Sequence, residues 1–525
     1  MEKSENIGVK KNMKKIDQYT IIADKVQAIV TILKRKEDYV PTYSVEIPKV
    51  EKATQAVLNH IREKLVATVH IKLSEILDPK AMESIKKRFA EKTDEAVEKE
   101  FPKLSQKERD FLTGTLLHEM LGLGKLETLL EDPQLEEIVV NNSTEPAWIY
   151  HKKYGWLKTD VVVPTEEQIY NYASIIGRKV GRQITNLSPL MDAHLLTGDR
   201  VNATLFPISS DGNTITIRKF AREPWTIIHF IDPKLNTVSK EVAALMWLCV
   251  EYELNILFSG GTASGKTSLL NSVMPFIPPN QRVISIEDTR ELLLPQFLHW
   301  IPLTTREPNP EGKGEVTMLD LMVNSLRMRP DRVILGEIRR QKEAEVLFEA
   351  MHTGHSVYST VHADRVDQVK RRLITPPISL PEELLEALHL IVVQYRQRRL
   401  NIRRTFEVAE VIPVTSPGGE TRINMGLLYK WNPKKDTLSK AWKSVRLFDE
   451  VKMHTGMTDS EITEDLNEKQ AILQWMLNNK IRTVNSVGKV IVEYYNDKPT
   501  VVKIAETNKK PSALLGEKFL SEIGK

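Results

Sequence analysis

The stretch that most constrains this chain is Phe258 to Ser268, which reads FSGGTASGKTS. Ahead of it, Leu254-Asn255-Ile256-Leu257-Phe258 is a short apolar run suited to a buried parallel strand. Within it, Gly260-Gly261-Thr262-Ala263-Ser264-Gly265-Lys266-Thr267 satisfies G-x-x-x-x-G-K-[ST], with Ser268 following. Behind it, Leu269, Leu270, Val273 and Met274 recur at helical spacing before Pro275. A strand, a loop and a helix are therefore predicted in that order. Glycines let successive backbone N–H groups converge on phosphate oxygens, and the positive end of the helix dipole points to the same place. Lys266 would reach the β- and γ-phosphates, and the Thr267 hydroxyl would hold Mg²⁺. The chain is expected to bind a nucleoside triphosphate.

At 525 residues the chain is too long for one core. Its net charge of +4 is too small to argue for nucleic acid from charge alone. The single cysteine, Cys249, allows no internal disulfide and no cysteine-rich zinc site, which suits a reducing compartment. No apolar run approaches the roughly 18 residues needed to span a bilayer. The N-terminus carries Lys10, Lys11, Lys14 and Lys15 but no apolar core of a signal peptide. A cytoplasmic protein is expected, one able to touch a membrane surface through those lysines.

Punctuation and periodicity suggest the domain order. Residues 1–18 read as a flexible basic N-terminus. Residues 19–122 read as a strand and helical module, with Val26 to Leu33 strand-like and a capping box at Ser105 and Glu108. Residues 123–225 read as an α/β domain with strands at Glu137 to Asn141, Ala147 to Tyr150, Asn202 to Leu205 and Thr214 to Arg218. A linker is expected over 226–237, marked by Pro233. The nucleotide-binding domain would occupy 238–415. Pro417-Gly418-Gly419 marks its end, and 416–525 reads as an α/β extension with a polar tail.

Three further segments of that domain carry chemistry. Arg282 to Ile286 is an apolar strand leading into Glu287, Asp288 and Glu291, with Arg290 among them. Such acids accept a proton from attacking water or position Mg²⁺, although a solvated strand end looks the same in sequence. Arg332-Val-Ile-Leu-Gly336-Glu337 is a second buried strand ending in an acid, like a Walker B strand but with Gly336 where an aspartate usually stands. Glu337 is therefore expected to act on magnesium through water. Third, His352, His355 and His362 fall within a short stretch and invite a metal reading. Their spacing is not that of a zinc-binding helix, and Ser356 to Val361 between them alternates like a strand. His362 is instead expected to meet the γ-phosphate from a strand end.

Taken together, GGTASGKT, ISIEDTREL, RPDRVILGEIR and TGHSVYSTVHAD, in this order, resemble the secretion ATPase superfamily that powers type II secretion, type IV pili and the archaellum. The stretches GLGKLETLLEDPQLEEIVVNN, GRQITNLSPLMDAHLLTGDRVNA and ITIRKF resemble that family's N-terminal domain. The resemblance covers roughly residues 105–415 and looks archaeal, with the archaellum motor ATPase the nearest in kind. It implies a RecA-like P-loop motor domain, a separate α/β N-terminal domain, and a homohexamer that hydrolyses ATP with Mg²⁺. It also implies a polytopic membrane platform protein as partner, at the cytoplasmic face. Carried over by motif, Glu291 matches the general base and Glu337 the Walker B glutamate. Arg200 and Arg218 match N-terminal arginines that reach the γ-phosphate. On the residues alone these two arginines read as surface salt bridges.

Other readings stay open. A pilus-assembly or secretion ATPase has the same motifs. A nucleic-acid-translocating ATPase would show a basic groove, for which Arg396 to Arg404 is the candidate, and no nucleic acid is expected. A nucleotide-gated scaffold would bind ATP without turning it over.

Overall fold

The computed structural model describes residues 13–35, 38–48, 50–68, 79–195, 198–221, 223–308, 312–400, 402–415 and 421–521. The chain divides into two compact units, Met1–Ala221 and Arg222–Lys525.

The first unit is built on a nine-stranded sheet in the order β1-β2-β3-β6-β5-β4-β9-β8-β7. Its strands are β1 (Met13–Ala23), β2 (Val26–Arg35), β3 (Thr42–Glu46), β4 (Leu135–Val140), β5 (Trp148–His151), β6 (Gly155–Thr159), β7 (Leu190–His194), β8 (Arg200–Thr204) and β9 (Thr214–Arg218). Asp24 and Lys25 join β1 to β2 with φ of 45° and 74°, the two positive values a tight hairpin with matching twist requires. Along β2, Val26, Ala28, Val30 and Ile32 are buried while Gln27 and Ile29 face out, the period of two of a one-sided strand. Three helices, Lys52–Thr68, Pro79–Glu100 and Gln106–Met120, form a satellite core of Leu58, Ile61, Leu65, Phe89, Val97, Leu112, Leu116 and Leu117. The last begins in a capping box, Ser105 receiving the Glu108 N–H while the Glu108 carboxylate receives that of Ser105.

Two expectations are corrected here. Residues 13–18 are not loose: they pair with β2 as part of β1. The modules drawn at 19–122 and 123–225 share one sheet, because β3 pairs with β6 at Thr42 with Lys158 and Tyr43 with Thr159. The Tyr19 and Tyr43 hydroxyls both donate to Asp132 Oδ2, at 2.7 and 2.6 Å. A buried carboxylate held by two distant tyrosines ties the opening strands to the later domain.

The second unit carries another nine-stranded sheet, ordered β12-β11-β13-β14-β10-β15-β16-β17-β18. Its strands are β10 (Ile256–Gly260), β11 (Arg282–Glu287), β12 (His299–Thr304), β13 (Arg332–Leu335), β14 (Ser356–Val361), β15 (Leu390–Gln397), β16 (Ile402–Thr415), β17 (Thr421–Asn432) and β18 (Thr437–Lys440). From β12 to β15 the pairing is parallel, and β15 to β18 form an antiparallel meander. Every residue of β10, β13 and β14 is buried, as strands covered on both faces must be. Parallel pairing puts the carboxyl ends of β10, β11, β13 and β14 at one edge of the sheet. Ligands bind there in open α/β sheets.

The expected boundary at 416 is likewise not a domain edge. Pro417, Gly418 and Gly419 lie outside the described residues, but β16 pairs with β17 up to Thr415 with Thr421. The C-terminal helices Asp459–Asn478, Val484–Asn496 and Lys498–Glu506 share a core with the helix Lys240–Glu251. Trp247 stacks on Phe276 with ring centroids 4.9 Å apart and meets Tyr494 edge-on at 4.8 Å. The proposed linker 226–237 begins as core too, with Ile227, Ile228 and Phe230 buried in the same cluster. Proline marks a turn there rather than a tether.

Candidate nucleotide site

The loop between β10 and the helix Lys266–Val273 takes its shape from its glycines. Gly260 and Gly265 have φ of 153° and 91°, conformations that a side chain disfavours. A Cβ on Gly260 would stand 2.3 Å from Ser264 Oγ and 2.5 Å from the Gln394 carbonyl oxygen. The helix starts directly after Gly265, so its first-turn N–H groups open onto the loop. The Ser259 hydroxyl donates to the Ala363 carbonyl at 2.6 Å, tying β10 to the segment after β14.

From this loop a connected row of polar groups runs across the strand ends. Lys266 Nζ stands 2.9 Å from His362 Nε2, which in turn lies 2.9 Å from Glu337 Oε1. The other Glu337 oxygen accepts from Arg339 Nε at 3.2 Å and Nη2 at 3.1 Å. Arg339 also pairs with Asp288, whose second oxygen accepts from the Thr305 hydroxyl at 3.2 Å. Burial, then the Lys266 charge, pushes the His362 imidazole below its usual range, against the pull of Glu337.

Glu287 closes β11 and is buried. Its Oε1 accepts the N–H of Glu291 at 2.8 Å and of Leu292 at 3.1 Å, so it fixes the turn that presents Glu291. Its Oε2 is buried without a hydrogen bond. Burial pushes the Glu287 carboxyl up to about 7, in spite of the two backbone donors. Gly336 does not exclude a side chain by sterics, since a Cβ there would sit 3.5 Å or more from the nearest atoms. Glu291 itself is half-buried.

Of the residues expected to act, Lys266, Glu337 and His362 are drawn into direct contact. Gly260 to Ser268 form the loop and its helix start, with Thr267 half-buried and Thr262 and Ser268 exposed. Glu291 stands on the turn that Glu287 pins. Arg200 and Arg218 belong to the first unit, opposite each other on β8 and β9. Arg200 reaches Asp192 through two contacts of 3.1 and 2.5 Å, and Arg218 lies across from Glu137 of β4. Among the described residues no three His, Cys, Asp or Glu side chains gather to hold a metal ion. His352 Nε2 meets the Leu384 carbonyl oxygen and His355 Nδ1 that of Ala350, away from His362.

Nothing adjacent in the chain links Arg339, the last residue of RPDRVILGEIR, to Asp288 as its partner. Sequence reasoning also missed Asn271 on the loop helix, whose Oδ1 accepts the Leu293 N–H at 3.0 Å. Arg403 was read only as part of a basic cluster. It donates to the Ala263 carbonyl of the loop at 3.1 Å.

A glycine loop opening into a helix, at the carboxyl edge of a mainly parallel sheet and facing acids on two neighbouring strands, defines a RecA-like P-loop protein. Residues 190–413 match the model of the type II/IV secretion system protein family. The chain is 35% identical over 401 residues to MJ0900 of Methanocaldococcus jannaschii, covering 75% of this chain and 71% of that protein. It is 30% identical to the type IV secretion system protein PtlH of Bordetella pertussis, over 48% of this chain and 79% of PtlH. Among solved structures, the VirB11 ATPase of the Brucella suis type IV secretion system is 25% identical with a TM-score of 0.28, covering 54% of this chain and 92% of that one. The chain belongs to the type II/IV secretion system protein family.

Proposed function

We propose that this protein hydrolyses ATP at the site built around Lys266 and converts the hydrolysis into mechanical work on a filament or secretion machine. The observation that carries the reading is the row Lys266, His362, Glu337, Arg339 and Asp288, laid across the strand ends beside a pinned Glu291. Lys266 holds the β- and γ-phosphates as a point charge, and Glu291 takes the proton of the attacking water. His362, in contact with both Lys266 and Glu337, registers the γ-phosphate and passes that state to Glu337. Mg²⁺, when bound, neutralises phosphate charge. A hydroxyl and a carboxylate suit this hard cation, and Thr267 and Glu337 would hold it. Both Glu337 oxygens are already engaged, by His362 and Arg339, which favours contact through water.

Further levels of the reading rest on the family. The chain works as a homohexamer in which Arg200 and Arg218 of the first unit reach the γ-phosphate and complete the site. The ring acts at the cytoplasmic face on a polytopic platform protein, driving an archaellum or a type IV pilus-like filament. The likeness to PtlH favours a secretion role as the alternative. No described helix is long and apolar enough to cross a membrane. The exposed Lys14 and Lys15 on β1 would give weak membrane-surface contact. Nucleic acid is not the expected track. Arg404 of the basic run is buried against Asp436, with contacts of 2.6 and 2.7 Å, and Arg403 is turned to the loop. Phosphate release from Mg·ATP by the full chain tests the proposal: turnover that Glu291→Gln abolishes supports it, and turnover unchanged by that substitution contradicts it.

A further inference from the structure

The family match ends at residue 413, yet the helix Val484–Asn496 reaches back to the site. The segment it reaches, 288–298, contains no helix or strand. Its position depends on side chains that take up its backbone N–H groups. Glu287 takes those of Glu291 and Leu292, and Asn271 takes that of Leu293. The fourth, from Gln296, goes to Asn485 Oδ1 at 3.1 Å, in the first turn of the C-terminal helix.

Three residues along that helix stands Gly488. A Cβ there would fall 2.6 Å from Pro295 Cγ and 2.8 Å from Phe297 Cζ. Glycine inside a helix is less stable than alanine, and here it admits the close approach of Pro295. Leu292, Leu294 and Leu298 enter the same core as Val487, Val490 and Ile491. At the far end of the helix, the Tyr495 hydroxyl donates to the Phe276 carbonyl at 2.7 Å, just beyond the phosphate-loop helix. One C-terminal helix thus braces both the segment that follows Glu291 and the helix that follows Lys266.

We infer that the helix Val484–Asn496 is a positioning element for hydrolysis: Asn485 and Gly488 hold the 291–297 segment so that Glu291 meets the attacking water. The inference rests on the reading of Glu291 as general base. Asn485 and Gly488 act through that segment and so govern turnover rather than nucleotide affinity.

The test uses the full chain, with phosphate release at saturating Mg·ATP and binding of a fluorescent nucleotide measured side by side. Asn485→Ala should lower kcat about tenfold, since misplacement by a fraction of an ångström is costly in rate. Nucleotide Kd should stay within about twofold, because the phosphate loop is untouched. Asn485→Asp keeps the accepting oxygen and should restore most of the rate. A merely structural role would not produce that rescue. Gly488→Ala should slow turnover in the same way by displacing Pro295, and if it fails to fold the Asn485 pair decides. A kcat for Asn485→Ala within about twofold of wild type, an Asp variant as slow as the Ala variant, or a Kd that weakens in step with kcat would overturn the inference. Turnover that Glu291→Gln leaves intact would overturn the functional reading as well. Turnover that needs Glu291 but ignores Asn485 would overturn this inference alone.

Discussion

Glu287→Gln should change how the stability of the second unit depends on pH. The Glu287 carboxyl is 2% exposed, and burial raises it from 4.5 to about 7. At about 1.4 kcal/mol per unit, that difference corresponds to about 3 kcal/mol. The sign follows from linkage. Below pH 4.5 the group is protonated in both the folded and unfolded chain, and the folded unit keeps its full stability. As pH rises, the unfolded chain ionises first, so stability falls until pH passes about 7 and the folded group has ionised too. Glutamine cannot ionise, so the variant escapes this loss. Below pH 4.5 it should be the weaker protein by about 1 kcal/mol, because its amide N–H groups replace an oxygen that has no partner, and by pH 5 most of that deficit is gone. By pH 8 it should be the stronger, so the two curves cross. Denaturant unfolding of both full-length proteins at steps from pH 5 to 8 measures this, read on the transition of the second unit. Comparing the two proteins cancels the other titrating groups. Parallel profiles across that range would refute the burial argument for Glu287.

Other outcomes follow from the same structure. Lys266→Ala should abolish turnover and weaken nucleotide binding, while Glu291→Gln should keep binding and lose turnover by about 10²-fold or more, both read by phosphate release and fluorescent-nucleotide titration. A fragment of residues 222–525 keeps the phosphate loop and should bind nucleotide but hydrolyse it poorly, since it lacks Arg200 and Arg218; full activity in the fragment would contradict a role for those arginines. Lys469 is fully buried and bonds Glu251 at 2.8 Å and the Tyr494 hydroxyl at 2.9 Å, beside Asp465. Lys469→Ala takes the cation from Glu251 but leaves Asp465 with Lys498 at 2.7 Å and the Tyr494 hydroxyl at 3.2 Å, and should cost about 3 kcal/mol, seen as a lower melting temperature of the second unit.

The phosphate loop was legible because it is contiguous. Left-handed glycines, a strand before and a helix after are properties of neighbouring residues, and a short pattern records them. The same holds for the capped helix at Ser105 and for the apolar runs that became β10, β11 and β13, whereas the alternation read in Ser356 to Val361 marked a strand, β14, whose residues are in fact all buried. Sheet membership was not legible in this way. The pairing of β3 with β6 joins residues more than a hundred positions apart, and alternation within a strand says which face is buried but not which strand lies beside it. Proline and glycine near 417 signal a turn equally well between two domains or within one hairpin, and only the pairing of Thr415 with Thr421 distinguishes them. The acids after β11 showed the same limit. Their order in the chain displayed three carboxylates, but only packing decided that Glu287 is the buried one, that Asp288 meets Arg339 from the loop after β13, and that Glu291 stands on a pinned turn. Burial and long-range contact set a carboxylate's charge and direction, and neither is a property of its neighbours in sequence. Val484, Val487, Ile491 and Tyr494 recur at helical spacing. That Gly488 of this helix lies against Pro295 belongs to the tertiary structure alone, because the Pro295 and Phe297 side chains press on the helix there without any sequence signal beyond a missing side chain.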